Sequence, residues 1–238
     1  MTEPFARKLY GRRKGPKLSA HKEDLRRTLL PKLALKIEPG ADPRTHFVPP
    51  PSGETEARSA SGGGISDVWL EIGFGAGEHL LALARAHPDV GLIGAEPYEA
   101  GVAKLLSHMA DDPPANLRIH EGDARDIIAA LPDACLGRVF ILFPDPWPKT
   151  RHHKRRFVQM EMLDQIARVL RPGAELRFAS DDAGYVEWTL ERAMAHPAFV
   201  WTAISPSDWK TRPAAWPQTR YEAKALHGPP AYLSFVRT

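Results

Sequence analysis

The chain has 238 residues, of which 43% are hydrophobic, and its formal net charge is +3. This length predicts one α/β domain with an appended arm and leaves too little chain for two full domains. The only cysteine, Cys135, excludes an intramolecular disulfide and favours a reducing compartment. Because the sequence has no signal-peptide core and no apolar run of membrane-spanning length, we expect a soluble, cytoplasmic protein without a membrane partner.

Positive charge is concentrated in two segments. Residues 1–36 hold eleven Lys or Arg against three acids, a net +8, and residues 149–156 add +5, so the rest of the chain carries −10. Like charges at this density repel one another unless a polyanion binds beside them. The distribution predicts nucleic-acid binding, and the alternative is a disordered tail together with one solvated helix end.

The predicted elements form an arm, a linker and a domain, in that order. Residues 1–37 are a basic arm with a short amphipathic helix at about 20–30, and the Pro- and Gly-rich residues 38–66 are a flexible linker. Across residues 67–238 strand and helix patterns alternate, which predicts a doubly wound, mostly parallel seven-stranded sheet with ligands at the carboxyl ends of its strands. The predicted strands are 68–72, 91–95, 117–120, 138–143, 175–179, 199–203 and 232–236, and the predicted helices are 78–86, 99–109, 125–130, 157–170 and 183–195.

The first strand-to-helix turn, EIGFGAG, has glycines at positions 73, 75 and 77. Glycine lets the backbone turn sharply and lets a ligand approach the helix N-terminus closely. A dinucleotide fingerprint needs a further glycine where this chain has Glu78, whose charge would oppose a pyrophosphate. The pattern Gly73, Gly75, Gly77, with Glu71 two residues ahead, resembles motif I of the Rossmann-like S-adenosylmethionine (SAM) methyltransferases.

Two further acids follow the next two strands. Glu96 ends the second strand, where a carboxylate can accept both ribose hydroxyls, and Asp123 resembles the acid that receives the adenine amine. Each acid also has an ordinary explanation: Glu71 as an edge charge, Glu96 as a strand-end acid, and Asp123 as a helix N-cap. Because the three acids follow three successive strands beside the glycine turn, we expect them to bind SAM.

The fourth strand leads into LFPDPWPKTRHHKRRF, residues 142–157. This stretch resembles the signature of the TrmB family of tRNA (guanine-N(7)-)-methyltransferases, as do the arm FARKLYGRRKG, the segment SDDAGY at 180–185 and QTRYEAK at 218–224. Ser180 stands where the family usually has Thr, and Asp182 adds an acid beside Asp181. The resemblance implies a Rossmann-like SAM-dependent methyltransferase that modifies N(7) of guanine at position 46, in the variable loop of tRNA.

The resemblance also implies roles for individual residues. Asp145 is the candidate catalytic residue and touches SAM as well. N(7) carries no proton, so no general base is needed, and a carboxylate favours a transition state in which positive charge moves onto the base. Trp147 either stacks on the flipped-out base or packs over the sheet edge. The candidate substrate-binding residues are Lys149, Arg151, His152, His153, Lys154, Arg155, Arg156, Asp181, Thr219, Arg220, Tyr221 and Glu222.

Other interpretations compete with these roles. Asp181 can be a helix N-cap, and Tyr221 can pack its own loop. His152 and His153 do not predict a metal site, since adjacent histidines point apart and no acid or cysteine accompanies them. The rival functions are an exocyclic-amine methyltransferase, whose turn resembles Asp145-Pro146-Trp147, and a non-catalytic RNA-binding module that retains SAM. We expect tRNA as partner, no metal, and a monomer rather than a homodimer.

Overall fold

The computed structural model describes residues 9–11, 13–36, 38–47, 64–214, 216–217, 222 and 228–238. Seven strands form one sheet in the order β3-β2-β1-β4-β5-β7-β6, and β7 alone runs antiparallel to its neighbours. This confirms the predicted doubly wound sheet. The strands are β1 Asp67–Ile72, β2 Val90–Ala95, β3 Leu117–His120, β4 Leu136–Leu142, β5 Leu170–Ser180, β6 Phe199–Trp201 and β7 Ala231–Arg237.

Helices cover both faces of the sheet. One apolar cluster joins α3 and α4 to the sheet, and a second joins α5, α6 and α7 to it. Because both faces are covered, β2 is apolar throughout and β1 is buried from Val68 to Ile72, without the alternation of a half-exposed strand. The described helices are α1 Ala20–Thr28, α2 Leu30–Leu33, α3 Glu78–Ala86, α4 Glu99–His108, α5 Ala124–Ala130, α6 Met160–Val169, α7 Ala183–Ala195 and α8 Ser207–Lys210, with 3-10 helices at Pro43–Phe47 and Thr150–Arg155.

The strand order reverses between β1 and β4, since β2 and β3 lie on one side of β1 and β4 and β5 on the other. In an open α/β sheet the crevice at such a reversal, outside the carboxyl ends of the strands, is the usual ligand site. The loops after β1, β2, β3 and β4 therefore meet there. These loops carry the glycine turn, Glu96, Asp123 and Asp145.

The segment before β1 packs on the domain to a greater extent than the sequence predicted. Leu33 and Leu35 are buried, and the Leu35 N–H donates to the carbonyl of Ile119 on β3 at 2.8 Å. Within the predicted linker 38–66, Phe47 is 8% exposed and packs where Gly91 has no side chain. Phe47 thus packs the 3-10 helix Pro43–Phe47 against the domain, although the Pro and Gly content of residues 38–66 predicted a flexible linker. Residues 48–63 of that linker lie outside the described residues.

The helix predicted at 157–170 begins later, at Met160. The side-chain oxygen of Tyr185 accepts the backbone N–H groups of Phe157 and Val158, at 2.8 and 3.3 Å, and Thr150–Arg155 form a separate 3-10 helix. A tertiary contact therefore replaces the first helical turn. In the part of the chain that the structure describes, no helix has the length and apolar character to cross a membrane.

Candidate active site

The glycine turn after β1 has an unusual backbone. Gly73, Gly75 and Gly77 have φ values of 73°, 58° and 78°, in the left-handed region that favours glycine. The turn rests on α4 at Gly101, where an added Cβ would lie 2.5 Å from the carbonyl oxygen of Gly75. A Cβ at Gly73 would meet no atom within 4 Å, so the space beyond the first glycine is open.

We expect Gly101→Val to weaken cofactor binding, because its side chain would push the Gly75 carbonyl out of place. Overpacking of this kind costs about 1–3 kcal/mol, which corresponds to roughly 5- to 150-fold in affinity if the turn moves. Calorimetric titration with SAM measures this loss. Ala100→Val adds the same β-branched side chain to the adjacent position of α4 and should bind SAM like the unmodified protein. Equal affinity of both variants would contradict the role of Gly101.

Glu96 connects the glycine turn to the end of β2. Its side chain accepts the N–H of Gly75 on one oxygen and the N–H of Tyr98 on the other, both at 2.8 Å. A carboxylate has about four acceptor positions, so it can accept further hydroxyls. Burial raises the pKa of Glu96; the two N–H groups oppose this shift, and the charges of Asp145 and Glu71 add to it.

Glu71, at the carboxyl end of β1, is 3% exposed and lies 2.7 Å from Nδ1 of His79 on α3. The His79 ring packs edge-to-face on Phe140 and Trp216. Sequence reasoning did not identify His79 as part of the site, although a histidine in the first turn of an apolar helix was a signal. The charge of Glu71 adds to the raised pKa of Glu96, so the carboxylates at the ends of β1 and β2 lie near each other.

Asp123, after β3, is the N-cap of α5. Its carboxylate accepts the backbone N–H of Arg125 at 3.0 Å and pairs with the guanidinium of the same residue. The structure thus shows the capping role that the sequence left as an alternative. Cap and ligand roles are compatible, since β3 lies beside β2 in the sheet and the two strand ends adjoin.

The turn after β4 combines strain with exposure. Phe143 and Trp147 have φ values of 48° and 46°, which non-glycine residues rarely adopt and which concentrate at functional sites. Asp145 between them is exposed, and its charge adds to the raised pKa of Glu96, so the two carboxylates lie near each other. The arm passes close by, because a Cβ on Gly11 would lie 3.7 Å from Oδ2 of Asp145.

The basic segment 149–156 presents its cations in two ways. Lys149, Arg151 and Lys154 are exposed to solvent, as an RNA-binding surface requires. The guanidinium of Arg155 lies over the ring of Trp147 at 4.8 Å and over that of Tyr10 at 5.1 Å. Tyr10 thus brings the arm to the turn after β4, a contact that the sequence did not predict. His152 also touches Trp147, with ring centroids 6.0 Å apart.

Two residues predicted to bind substrate pack into the protein. Arg156 is 4% exposed and donates to the backbone carbonyls of Pro146 and Gly184, so its guanidinium is bound inside the domain. His153 packs edge-to-face on Trp188. The physical reason is local. Arg156 is the C-cap of the 3-10 helix and its side chain reaches α7, whereas a basic sequence alone does not show which cationic side chain will be buried.

The remaining predicted residues lie after β5. Asp182 accepts the N–H of Tyr185 at 2.7 Å and caps α7, so Asp181 is our candidate for the substrate side. Glu222 is 8% exposed and accepts the hydroxyl of Tyr232 at 2.6 Å. Burial, followed by the bond to Glu222, raises the pKa of Tyr232. Thr219, Arg220 and Tyr221 lie outside the described residues.

Acidic side chains and an open glycine turn suit a ligand with cationic and hydroxyl groups and no phosphate, which describes SAM. Glu96 would hold the ribose, and Asp123 the adenine amine. Glu71 and Asp145 would provide negative charge beside the sulfonium and ammonium groups. Within the described residues, no group of three or more His, Cys, Asp or Glu side chains could hold a metal ion.

Comparison with known proteins decides the family. A protein family described as "Putative methyltransferase" matches residues 66–231. A tRNA (guanine-N(7)-)-methyltransferase of Rhodospirillum rubrum is 50% identical over 97% of this chain and 88% of its own length. This chain belongs to the TrmB family of tRNA (guanine-N(7)-)-methyltransferases. Another member, from Chelativorans sp. (strain BNC1), is 45% identical to this TrmB-family chain over 99% of the chain and 96% of its own length.

Solved structures support the methyltransferase fold of this TrmB-family chain. The 16S rRNA methyltransferase KamB has a TM-score of 0.50 and 18% identity, and the match covers 72% of this chain and 88% of KamB. An rRNA methylase from Streptococcus thermophilus has a TM-score of 0.50 and 13% identity, with 73% and 87% covered. At these identities the likeness concerns the fold alone. SAM is the methyl donor of the methyltransferase family to which this chain belongs.

Proposed function

We propose that this chain transfers a methyl group from SAM to N(7) of a guanosine in tRNA, at position 46 of the variable loop. The observation that supports this best is the position of Asp145, on a strained turn between an acidic crevice and a set of exposed cations. Full-length similarity to relatives named as tRNA (guanine-N(7)-)-methyltransferases agrees with it. A tRNA substrate also fits the cytoplasm, where we place the protein.

SAM, when bound, supplies the electrophilic methyl group. Glu96 and the glycine turn would fix the donor, and Trp147 with Arg155 would bound the space for the base. The Asp145 carboxylate would accept hydrogen bonds from the Watson-Crick edge of guanine and stabilise the positive charge that develops on the ring. Since N(7) attacks with its own lone pair, the protein removes no proton. Alignment of the two reactants supplies the rest of the rate enhancement.

The decisive experiment is incubation of the purified protein with bulk tRNA and SAM labelled in the methyl group. We expect labelled 7-methylguanosine after nucleoside analysis. Chemical cleavage at the methylated site should map it to position 46 of the variable loop. Label found only in methyladenosine would favour the exocyclic-amine alternative, and tRNA binding without any transfer would favour a non-catalytic RNA-binding module.

We expect tRNA affinity to fall steeply with added salt, because the exposed cations release counterions from the RNA. Arg151→Ala should weaken binding and reduce the slope of log K against log salt by about one if this residue neutralises one phosphate. Filter binding between low and physiological salt measures both quantities. Arg85→Ala removes an exposed cation in the last turn of α3, outside both basic segments, and is the matched control. A slope that Arg151→Ala leaves unchanged would remove this residue from the RNA surface.

A further inference from the structure

Arg156 is the last residue of the basic segment 149–156, but its side chain lies inside the protein. Only 4% of the residue is exposed, although exposed cations precede it. Nε donates to the carbonyl of Pro146 at 2.9 Å, and Nη1 donates to the carbonyl of Gly184 at 3.0 Å. One guanidinium therefore joins the turn that carries Asp145 to the first turn of α7.

Two aromatic rings hold this guanidinium in place. Its carbon lies 4.9 Å from the ring centroid of Tyr185 and 5.1 Å from that of Trp188. These rings are themselves fixed, since the Tyr185 hydroxyl accepts the N–H groups of Phe157 and Val158, and Nε1 of Trp188 donates to the Val158 carbonyl at 2.6 Å. The planar fork of Arg156 thus has a single orientation, which a flexible ammonium group would lack.

The turn that Arg156 reaches needs such support. Phe143 and Trp147 hold left-handed φ values, and strain of this kind persists only where neighbouring groups impose it. The carbonyl of Pro146 lies directly between Asp145 and Trp147 in the chain. A hydrogen bond to that carbonyl restrains the peptide that sets the direction of both side chains.

We infer that Arg156 is a positioning residue for methyl transfer, which holds Asp145 and Trp147 in the orientation that the guanine requires. This inference rests on the proposed function. It differs from the RNA-gripping role that the sequence predicted, because the positive charge of Arg156 faces backbone carbonyls, aromatic rings and the carboxylate of Asp182, which lies 4.0 Å from Nη2.

Arg156→Lys tests the inference, because it keeps the charge and loses the fork that reaches two carbonyls. We expect kcat for tRNA methylation to fall about 10- to 100-fold, the effect of a reacting group displaced by about 1 Å. The KM for tRNA and its salt slope should stay as in the unmodified protein. Arg168→Lys is the matched control, since Arg168 also donates to two carbonyls, of Leu131 and Ile128, in the connection that leads to the amino end of β4. It should keep the original kcat.

A measurement independent of activity accompanies the kinetics. Backbone amide exchange of residues 143–157, in which the N–H groups of Phe143 and Phe157 are hydrogen-bonded, is followed by mass spectrometry and should be faster in Arg156→Lys and unchanged in Arg168→Lys. If Arg156→Lys does not fold, Arg156→Gln, which keeps one amide donor, is measured in the same way. An unchanged kcat with unchanged exchange would overturn the inference, and so would a loss of tRNA affinity with a smaller salt slope at full kcat. Should the unmodified protein methylate no tRNA, the proposed function fails, and the exchange result alone decides the role of Arg156.

Discussion

Asp145→Asn should reduce the rate of tRNA methylation by about 100- to 1000-fold, the usual cost of removing one preorganised group that stabilises transition-state charge. The asparagine has the same shape but no charge, so it neither favours the developing cation nor accepts from two donors of the guanine edge. Affinity for tRNA should change little, because in our proposal the exposed cations around residue 151 supply most of it. Single-turnover rates at saturating tRNA and SAM measure the effect on the chemical step.

The control for this prediction is another aspartate whose side chain is exposed. Asp133 has a side chain 77% exposed, lies ahead of β4 at the opposite end of the strand from Asp145, and pairs with Arg168. Asp133→Asn should therefore react at the original rate. If Asp145→Asn also keeps that rate, Asp145 has no electrostatic part in the reaction, and the turn serves only to shape the pocket.

The fold could be predicted from the sequence because its strongest pattern, strands alternating with helices, is local and recurs along the chain. Apolar strands of a sheet covered on both faces, separated by amphipathic helices, leave few arrangements other than a doubly wound sheet. Helices α3 and α7 begin and end where they were predicted. The exceptions depend on single tertiary contacts: Phe47 packs into the space left by Gly91, and the Tyr185 hydroxyl takes the N–H groups that would have begun α6.

The residues of the candidate site could be located from the sequence, but their contacts could not. Acids at strand ends and glycines in the first turn could be located from spacing, because parallel strands place their carboxyl ends together. The hydrogen-bond and packing partners of these residues could not be predicted from spacing. Nothing in the letters KRR shows that Arg156 points inward, or that His79 reaches across to Glu71. Such contacts join residues distant in the chain, and they exist only once the sheet has formed.

Glu96→Gln should weaken SAM binding about 100-fold, because one side chain performs two tasks. Its carboxylate holds the N–H groups of Gly75 and Tyr98, one on each oxygen, whereas the amide of glutamine has a single oxygen and would leave one buried donor unsatisfied, at about 1–3 kcal/mol. The charge that would bind the ribose hydroxyls is lost as well. Glu175→Gln alters a half-buried glutamate that pairs with Arg138 and Arg177 on β4 and β5, and it should leave the Kd unchanged.

The pH dependence of the same Kd gives an independent test of Glu96. Burial raises its pKa above the ordinary value of 4.5, so in the folded protein the carboxyl takes up a proton at a higher pH than it would in the unfolded chain. As the pH falls through this raised pKa, the carboxylate is protonated, an acceptor for SAM is lost and SAM binding weakens. Folding responds differently, because burial favours the protonated form of Glu96. Calorimetric titrations from neutral pH downward should therefore show affinity falling before pH 4.5 is reached, whereas Glu96→Gln should bind equally weakly throughout. A parallel decline in both proteins would assign the titration to another group and leave Glu96 with only its role in anchoring the turn.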